Sequence, residues 1–538
     1  MNTLSLLKLS ISAPKRQTAV CGVCGEDFAG KGVTMAAPGR NTWLVIIIVA
    51  VCFAAAAAVF WYSPLGQYQQ EKAIRQFIEN IPGSLRADTV TVDPHTDSVE
   101  LENLHGRIEF FRGMHFDVRV QKLRLEGVNQ GLAKSSGVVK IADRIQIRHL
   151  SFAPDPAFGA IMGYSVATVN NQDIAGLWLD WNLLREAGEA GPQSAAFAEL
   201  LLSLRLGLTI VRDASITVVS RNGLDSFDAG GCIVAVSRLE MGHYSLSGTG
   251  QGRCWNYSRI YANGARFSAK EIFWTSRSMP SGSLRMMLSG LLDRENLSRD
   301  SSLGMLKEGY SLRGLEGSDL LAVAADGQSL RIPELFLDMD IGHGNLRLNV
   351  EAPDIWISGG LVAEKLSGFN PGLGFLADRR LHLSALVDWK VEYLSDGQVR
   401  LLSHQELHED KLGSLIMDAN FIGPEVAEEE RILPFALDAI FFEKGSLELE
   451  DRGFLKGFFA HGLTDDGSAA RAAMAAEIKN NQALRPAFMR GAMVRFAAFL
   501  EKSGFISIVA ECSSPLKLAD IFKNPAVLES VSLKANYD

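Results

Sequence analysis

The sequence predicts a mainly β fold with an α+β lobe at its C-terminal end, preceded by a single N-terminal membrane-spanning helix and a long antiparallel body. Three observations carry this. Apolar and polar residues alternate over many short runs from Leu85 onward, the period of a half-buried strand. The stretch Trp43 to Tyr62, WLVIIIVAVCFAAAAAVFWY, is apolar throughout and carries no charge. Near the end, two runs change to helical spacing.

Residues 1–41 read as a cytoplasmic tail without a packed core. The pair Cys21 and Cys24 has the spacing of half a zinc ribbon, but no second pair follows in the tail, so an incidental CxxC is the expected reading. Met35 opens MAAPGRNTWLV, a start suited to an anchored protein. Residues 42–62 are the expected span. About 20 residues at about 1.5 Å each cover the ~30 Å of bilayer hydrocarbon. Trp43 and Tyr62 mark its ends, where amphipathic rings favour the interface. Lys8, Lys15, Arg16, Lys31 and Arg40 precede it, and no basic residue follows until Lys72. Basic flanks stay on the cytoplasmic side, which predicts a cytoplasmic N-terminus with the residues from Ser63 onward outside the cytoplasm. A cleaved secretory signal is the rival reading, but its apolar core would be only about 7–15 residues long.

Residues 63–84 form a linker. Within it, Leu65 to Ile81 reads as a helix, with Ile74, Phe77, Ile78 and Ile81 on one face and Pro82-Gly83 as its stop. Its apolar face is expected to pack on the first strands.

Residues 85–430 form the expected β-rich body. Val90/Val92, Val99/Leu101, Ile108/Phe110, Phe116 to Val120, Leu123/Leu125 and Ile145/Ile147 read as separate short strands. Turns are expected at Asp93-Pro94, Asn103 to Gly106, Gly113 and Asn129 to Gly131. Leu177 to Glu186, Ala195 to Leu204 and the run SLRMMLSGLL after residue 282 look helical. Leu335 to Ile341 and Leu346 to Val350 form a hairpin around Gly342 to Asn345, with further strands near Leu381–Trp389 and Leu415–Ala419. Glu425 to Glu430 reads as a solvated acidic loop.

Residues 431–538 form the α+β lobe. Two strands are expected around Lys444-Gly445. Helices follow at Asp466 to Lys479 and around Met489, Met493, Phe496 and Leu500, and a strand at Phe505 to Ala510.

Composition excludes several function classes. Hydrophobic residues make up 47% of the 538, which excludes a disordered chain, and a net charge of −9 argues against nucleic-acid binding. Six cysteines are too few for a disulfide scaffold. Cys232 and Cys254 are the pair that an oxidising compartment would allow to bridge, with two buried thiols as the alternative. His404 and His408 stand four apart, but Gln405 occupies the place where a zinc protease carries glutamate, and SHQELHED reads as a polar loop. Gly248, Gly250 and Gly252 lack the GxGxxG spacing of a dinucleotide site and mark a kinked strand or turn. No catalytic, cofactor or metal site stands out, so no cofactor and no enzymatic activity are expected.

The plan of tail, span, linker helix and alternating strands resembles the AsmA-like family of bacterial inner-membrane-anchored envelope proteins. ADTVTVDPHTDSVELENLHGRI, residues 87–108, carries the resemblance through Asn103-Leu104-His105-Gly106, and DRIQIRHLSF, residues 143–152, repeats the pattern. The resemblance implies outer-envelope assembly or lipid movement through an apolar β-sheet groove. The partners expected from it are the lipid bilayer, a lipid ligand or other envelope proteins. Alternatives are a structural or protein-interaction module of the envelope without a ligand, and an unrecognised hydrolase.

Overall fold

The computed structural model describes residues 67–80, 84–111, 114–129, 136–155, 164–183, 186, 199–200, 203–218, 232–242, 244–245, 250–276, 310–342, 345–367, 371–394, 397–425, 439–461, 466–480, 487–517 and 531–538. The expected span, with Trp43 and Tyr62, lies outside them, as do Cys21, Cys24, Gly248 and the run after residue 282. Among the described residues no helix is long and apolar enough to cross a membrane. The chain is mainly β and separates into two compact units between residues 317 and 318, inside the strand Tyr310–Val323, rather than at 430/431. The physical reason is pairing: the strands on either side of residue 430 bond to one another in one sheet.

The first unit opens with helix α1 (Gln67–Asn80). Its strands are β1 (Thr89–Asp93), β2 (Ser98–Phe111), β3 (Met114–Glu126), β4 (Val138–Pro154) and β5 (Tyr164–Asp180). There follow two-residue β6 (Arg205–Leu206), β7 (Thr209–Val218), β8 (Cys232–Met241), two-residue β9 (Tyr244–Ser245), β10 (Gly250–Tyr261) and β11 (Arg266–Ser276). The strands β1, β2, β3, β4, β5, β7, β8, β10 and β11 pair antiparallel in that order. Helix α1 lays Ile74 and Ile78 into the same core as Val90, Val92 and Leu104, all under 6% exposed. Arg75 Nη1 donates to the Ala87 carbonyl at 2.8 Å, and Val92 N–H donates to Glu71 at 3.3 Å, fixing the helix to β1.

These strands are longer than the runs of alternation suggest, because each run was half a strand. β2 buries Val99 and Leu101, then Leu104 and Ile108; β3 buries Phe116, Val118 and Val120, then Leu123 and Leu125. β4 buries Ile145 and Ile147, then Leu150 and Phe152; β7 buries Val211, then Ala214 and Ile216. In each case the period-two pattern slips by one residue. The slips line up. The pairings on either side place Asn103, Gln121, His149, Asn170, Asp213, Ser237, Asn256 and Lys270 in one row across eight strands. On every second strand the row residue is left-handed: Asn103 (φ 48°), His149 (φ 49°), Asp213 (φ 51°) and Asn256 (φ 51°). Asn, Asp and His are the non-glycine residues that tolerate this conformation best. A single-residue slip would turn a strand's apolar set to solvent. Here every strand slips at the same row, so register continues unshifted through it and both halves keep their apolar side chains on the core face.

The expected turn at Asn103 to Gly106 is therefore a kink inside β2. Gly106 (φ 140°) lies against the chain entering β1, where a Cβ would sit 2.2 Å from the Ser84 carbonyl oxygen. The expected helix at Leu177 to Glu186 is corrected at its start: 177–180 complete β5, and 181–183 are helical. Leu177 and Leu179 are fully buried against the sheet, and strand pairing outweighs their helix propensity.

The second unit begins inside β12 (Tyr310–Val323), at Ser318, and holds β13 (Ser329–Gly342), β14 (Asn345–Ser358), helix α2 (Gly359–Ser367), a 3-10 turn (Pro371–Leu376), β15 (Arg380–Tyr393), β16 (Gln398–Glu409) and β17 (Gly413–Pro424). β18 (Phe441–Asp451), α3 (Phe454–Ala460), α4 (Ser468–Asn480), α5 (Ala487–Lys502), β19 (Gly504–Lys517) and β20 (Val531–Tyr537) complete it. From β13 to β20 each strand pairs antiparallel with the next. The β13–β14 hairpin turns between Gly342 and Asn345, as its alternation predicts. Lys444-Gly445 is not a turn between two strands. It lies within β18, next to a register shift between Phe442 and Lys444.

Candidate functional site

β15, β16 and β17 run through ten or more residues each without a slip. Every odd-numbered side chain therefore lies on one face, and the even-numbered ones lie on the other. Across the sheet the odd face aligns Val387 with Gln405, Met417, Leu447 and Ile508, and Trp389 with Ser403, Ala419, Gly445 and Ala510. β13 and β14 extend it through Met339, Leu348 and Val350. The opposite face carries Asp388, His404, Asp418 and Ser446 in one row.

The apolar face has cover at its margins. Helices α3 to α5 place Leu455, Ala475, Ile478, Phe499 and Leu500 on Leu449, Ile508 and Tyr537. The α2 segment buries Ile357, Leu376 and Leu381 together. Between these margins Met339, Leu348, Val350, Val387, Trp389, Met417 and Leu447 are each only partly buried. Leu407 and Leu415, directly opposed on β16 and β17, are 41% and 36% exposed. The first unit differs sharply, since its apolar face is a dry core with Phe116 stacked on Phe152 at 4.6 Å. Soluble surfaces rarely leave large contiguous apolar areas open without a use for them.

The sequence candidates are dispersed. Cys232 and Cys254 are buried thiols and form no disulfide. β8 and β10 are neighbours, but Cys232 pairs with Tyr261 and Cys254 with Leu239, seven residues out of step. At about 3.3 Å per residue that separates them by roughly 23 Å, far beyond disulfide reach. Arg259 Nε donates to Cys232 Sγ at 3.1 Å, and burial pushes the Cys254 thiol up to about 12. Gly250 opens β10, and Gly252 lies under the Trp274 ring, where a Cβ would come within 2.2 Å of it. No helix follows, so this is close packing and not a phosphate cradle.

His404 and His408 lie on strand β16, correcting the polar-loop reading. Their even spacing puts both on the polar face with Glu406 between them. His404 Nδ1 is 2.7 Å from Asp418 and its Nε2 is 2.8 Å from Glu406, while His408 Nε2 is 3.3 Å from the other Glu406 oxygen. Bonding to Asp418 first, then to Glu406, raises the His404 pKa, and the two imidazoles lower that of Glu406. A second cluster, marked by no motif in the sequence, surrounds His382. Its Nδ1 is 2.7 Å from Asp410 and its Nε2 is 2.5 Å from Asp354, with the ring stacked on Trp356 at 4.1 Å. Asp410, then Asp354, raises its pKa. An imidazole with carboxylates at both nitrogens donates from both as the cation. These are braces between strands: among the described residues no set of three or more His, Cys, Asp or Glu side chains could hold a metal ion.

Two surface depressions, about 370 and 960 Å³, lie off the apolar face. The smaller is bordered by Arg400, Glu443 and Lys444, the larger by the charged turn around Asp326 and Arg379. The half-covered apolar face is thus the strongest candidate site. Its signal in the sequence was the unbroken alternation from Leu381 to Val391, with Trp389 inside it. Comparison with known protein families, with curated proteins and with solved structures finds no match in any of the three.

Proposed function

We propose that the chain is a non-enzymatic, membrane-anchored protein of the bacterial envelope whose second unit holds lipid acyl chains on its open apolar sheet face. One observation carries the reading. Across β13 to β19 a single face is apolar, and its middle is left partly exposed while its margins are packed. Removing such surface from water is favourable by about 25 cal/mol per Å², so the face has a standing drive to be covered. Acyl chains meet that drive without hydrogen bonds or charges, and the middle of the face offers few of either. The apolar stretch Trp43 to Tyr62 supports placement at an inner membrane, with the N-terminus cytoplasmic and the rest periplasmic. The resemblance to AsmA-like proteins is in keeping with lipid handling or outer-envelope assembly. The test is extraction of the purified full chain with organic solvent, followed by mass spectrometry. Copurifying lipid that is lost in Val387→Glu and Met417→Lys supports the reading. A lipid-free chain, or lipid retained equally by both variants, overturns it.

A further inference from the structure

The apolar face is interrupted by a small polar island. Trp389 lies directly opposite Ser403, and Gln405 follows Ser403 on the same side of β16. Gln405 Nε2 donates to Ser403 Oγ at 3.3 Å. The Trp389 indole Nε1–H is buried and has no acceptor among the described residues. A buried indole N–H normally finds a partner, because leaving it unmade forfeits the bond and keeps the desolvation cost. The neighbours across the strands, Leu348, Val387, Met417 and Ala419, are apolar and supply no acceptor. The charged groups flanking the island on these strands, Asp388, His404, Glu406 and Asp418, occupy the other face by parity.

Resting on the reading of this face as a lipid site, we infer that it selects lipids whose chains are joined through an ester or amide rather than an ether, with the carbonyl oxygen of that link received by Trp389 Nε1–H beside Ser403 and Gln405. The chemistry favours a neutral acceptor. Among the described residues no cation stands on this face near the island to neutralise a phosphate, so a charged headgroup stays outside in water. Pure hydrocarbon would leave the indole donor unmade. An ether oxygen is a weaker acceptor than a carbonyl and fills the site less well.

The full chain, purified in detergent, is incubated with phosphatidylethanolamine in ester-linked form and in ether-linked form with the same chains, and retained lipid is counted by mass spectrometry. The expected result is about tenfold preference for the ester form, the size of one good hydrogen bond. Trp389→Phe, which keeps an aromatic ring on the face but removes the indole N–H, should erase the preference. Gln405→Leu tests the island independently and should narrow the preference. Equal retention of both lipids by the unaltered chain, or a preference that survives Trp389→Phe, overturns the inference and leaves the lipid site standing. Retention of neither lipid overturns the lipid site itself and the inference with it.

Discussion

Gly106 and the histidine braces show what single residues control. At Gly106 the backbone is at φ 140° and the Ser84 carbonyl stands where a Cβ would go. Gly106→Ala should therefore cost about 2–3 kcal/mol, combining a strained conformation with a displaced β1 entry, read as a lower denaturant midpoint. At Asn103 only the left-handed conformation is demanded, so Asn103→Gly should be near neutral and Asn103→Val should cost about 1–2 kcal/mol. His404 and His382 set a pH dependence. Their folded pKa values are raised above the usual 6.5, so the unfolded chain gives up these protons first as pH rises. The stabilisation is complete below about 6.5 and is lost as pH climbs through the raised folded values. Thermal melts of the chain should show the second unit losing stability over that range, and His404→Gln with His382→Gln should flatten the dependence. An unchanged slope in the double variant would contradict the braces.

At the scale of elements the lesson concerns phase. The strands are legible as β, because Val118/Val120 and Leu123/Leu125 each alternate, but the join at Asn103 to Gly106 reads in sequence as a turn and is a kink inside β2. Two successive outward residues, as in Glu102-Asn103 or Gln121-Lys122, look the same in sequence whether the chain turns or kinks. Only the partner strand distinguishes them, and that information is non-local. Similarly, SHQELHED reads as a loop in sequence because polar residues outnumber Leu407, yet Ser403 to Glu409 lie on a strand whose even face is polar. Where periodicity is local, as in the 466–479 and 489–500 helices, the elements emerged close to their expected ends. The row predicts a sharp asymmetry. Deleting Asn103 shifts one half of β2 by a residue and turns Val99 and Leu101, or Leu104 and Ile108, to solvent. That deletion should leave the first unit open to limited proteolysis, whereas Asn103→Gly should leave it resistant. Helix α1 belongs to the same unit: Ile78→Ala removes a side chain that is 1% exposed and should cost about 2–4 kcal/mol.

For the whole molecule, the two units use the same alternation to opposite ends. In the first, aligned kinks accompany a dry core. In the second, β15 to β17 run unbroken and leave an apolar face partly open. Composition and periodicity announced the β-rich character but could not announce this difference, because both faces are equally apolar in sequence and only packing separates them. The candidate site was accordingly visible as residues and invisible as a surface. The most direct test installs a photo-crosslinking side chain in the full chain within living cells, once at Met417 on the apolar face and once at Ile416 on the other. Lipid adducts are expected from position 417 and none from 416. Equal labelling from both positions, or protein adducts alone from 417, would contradict that expectation.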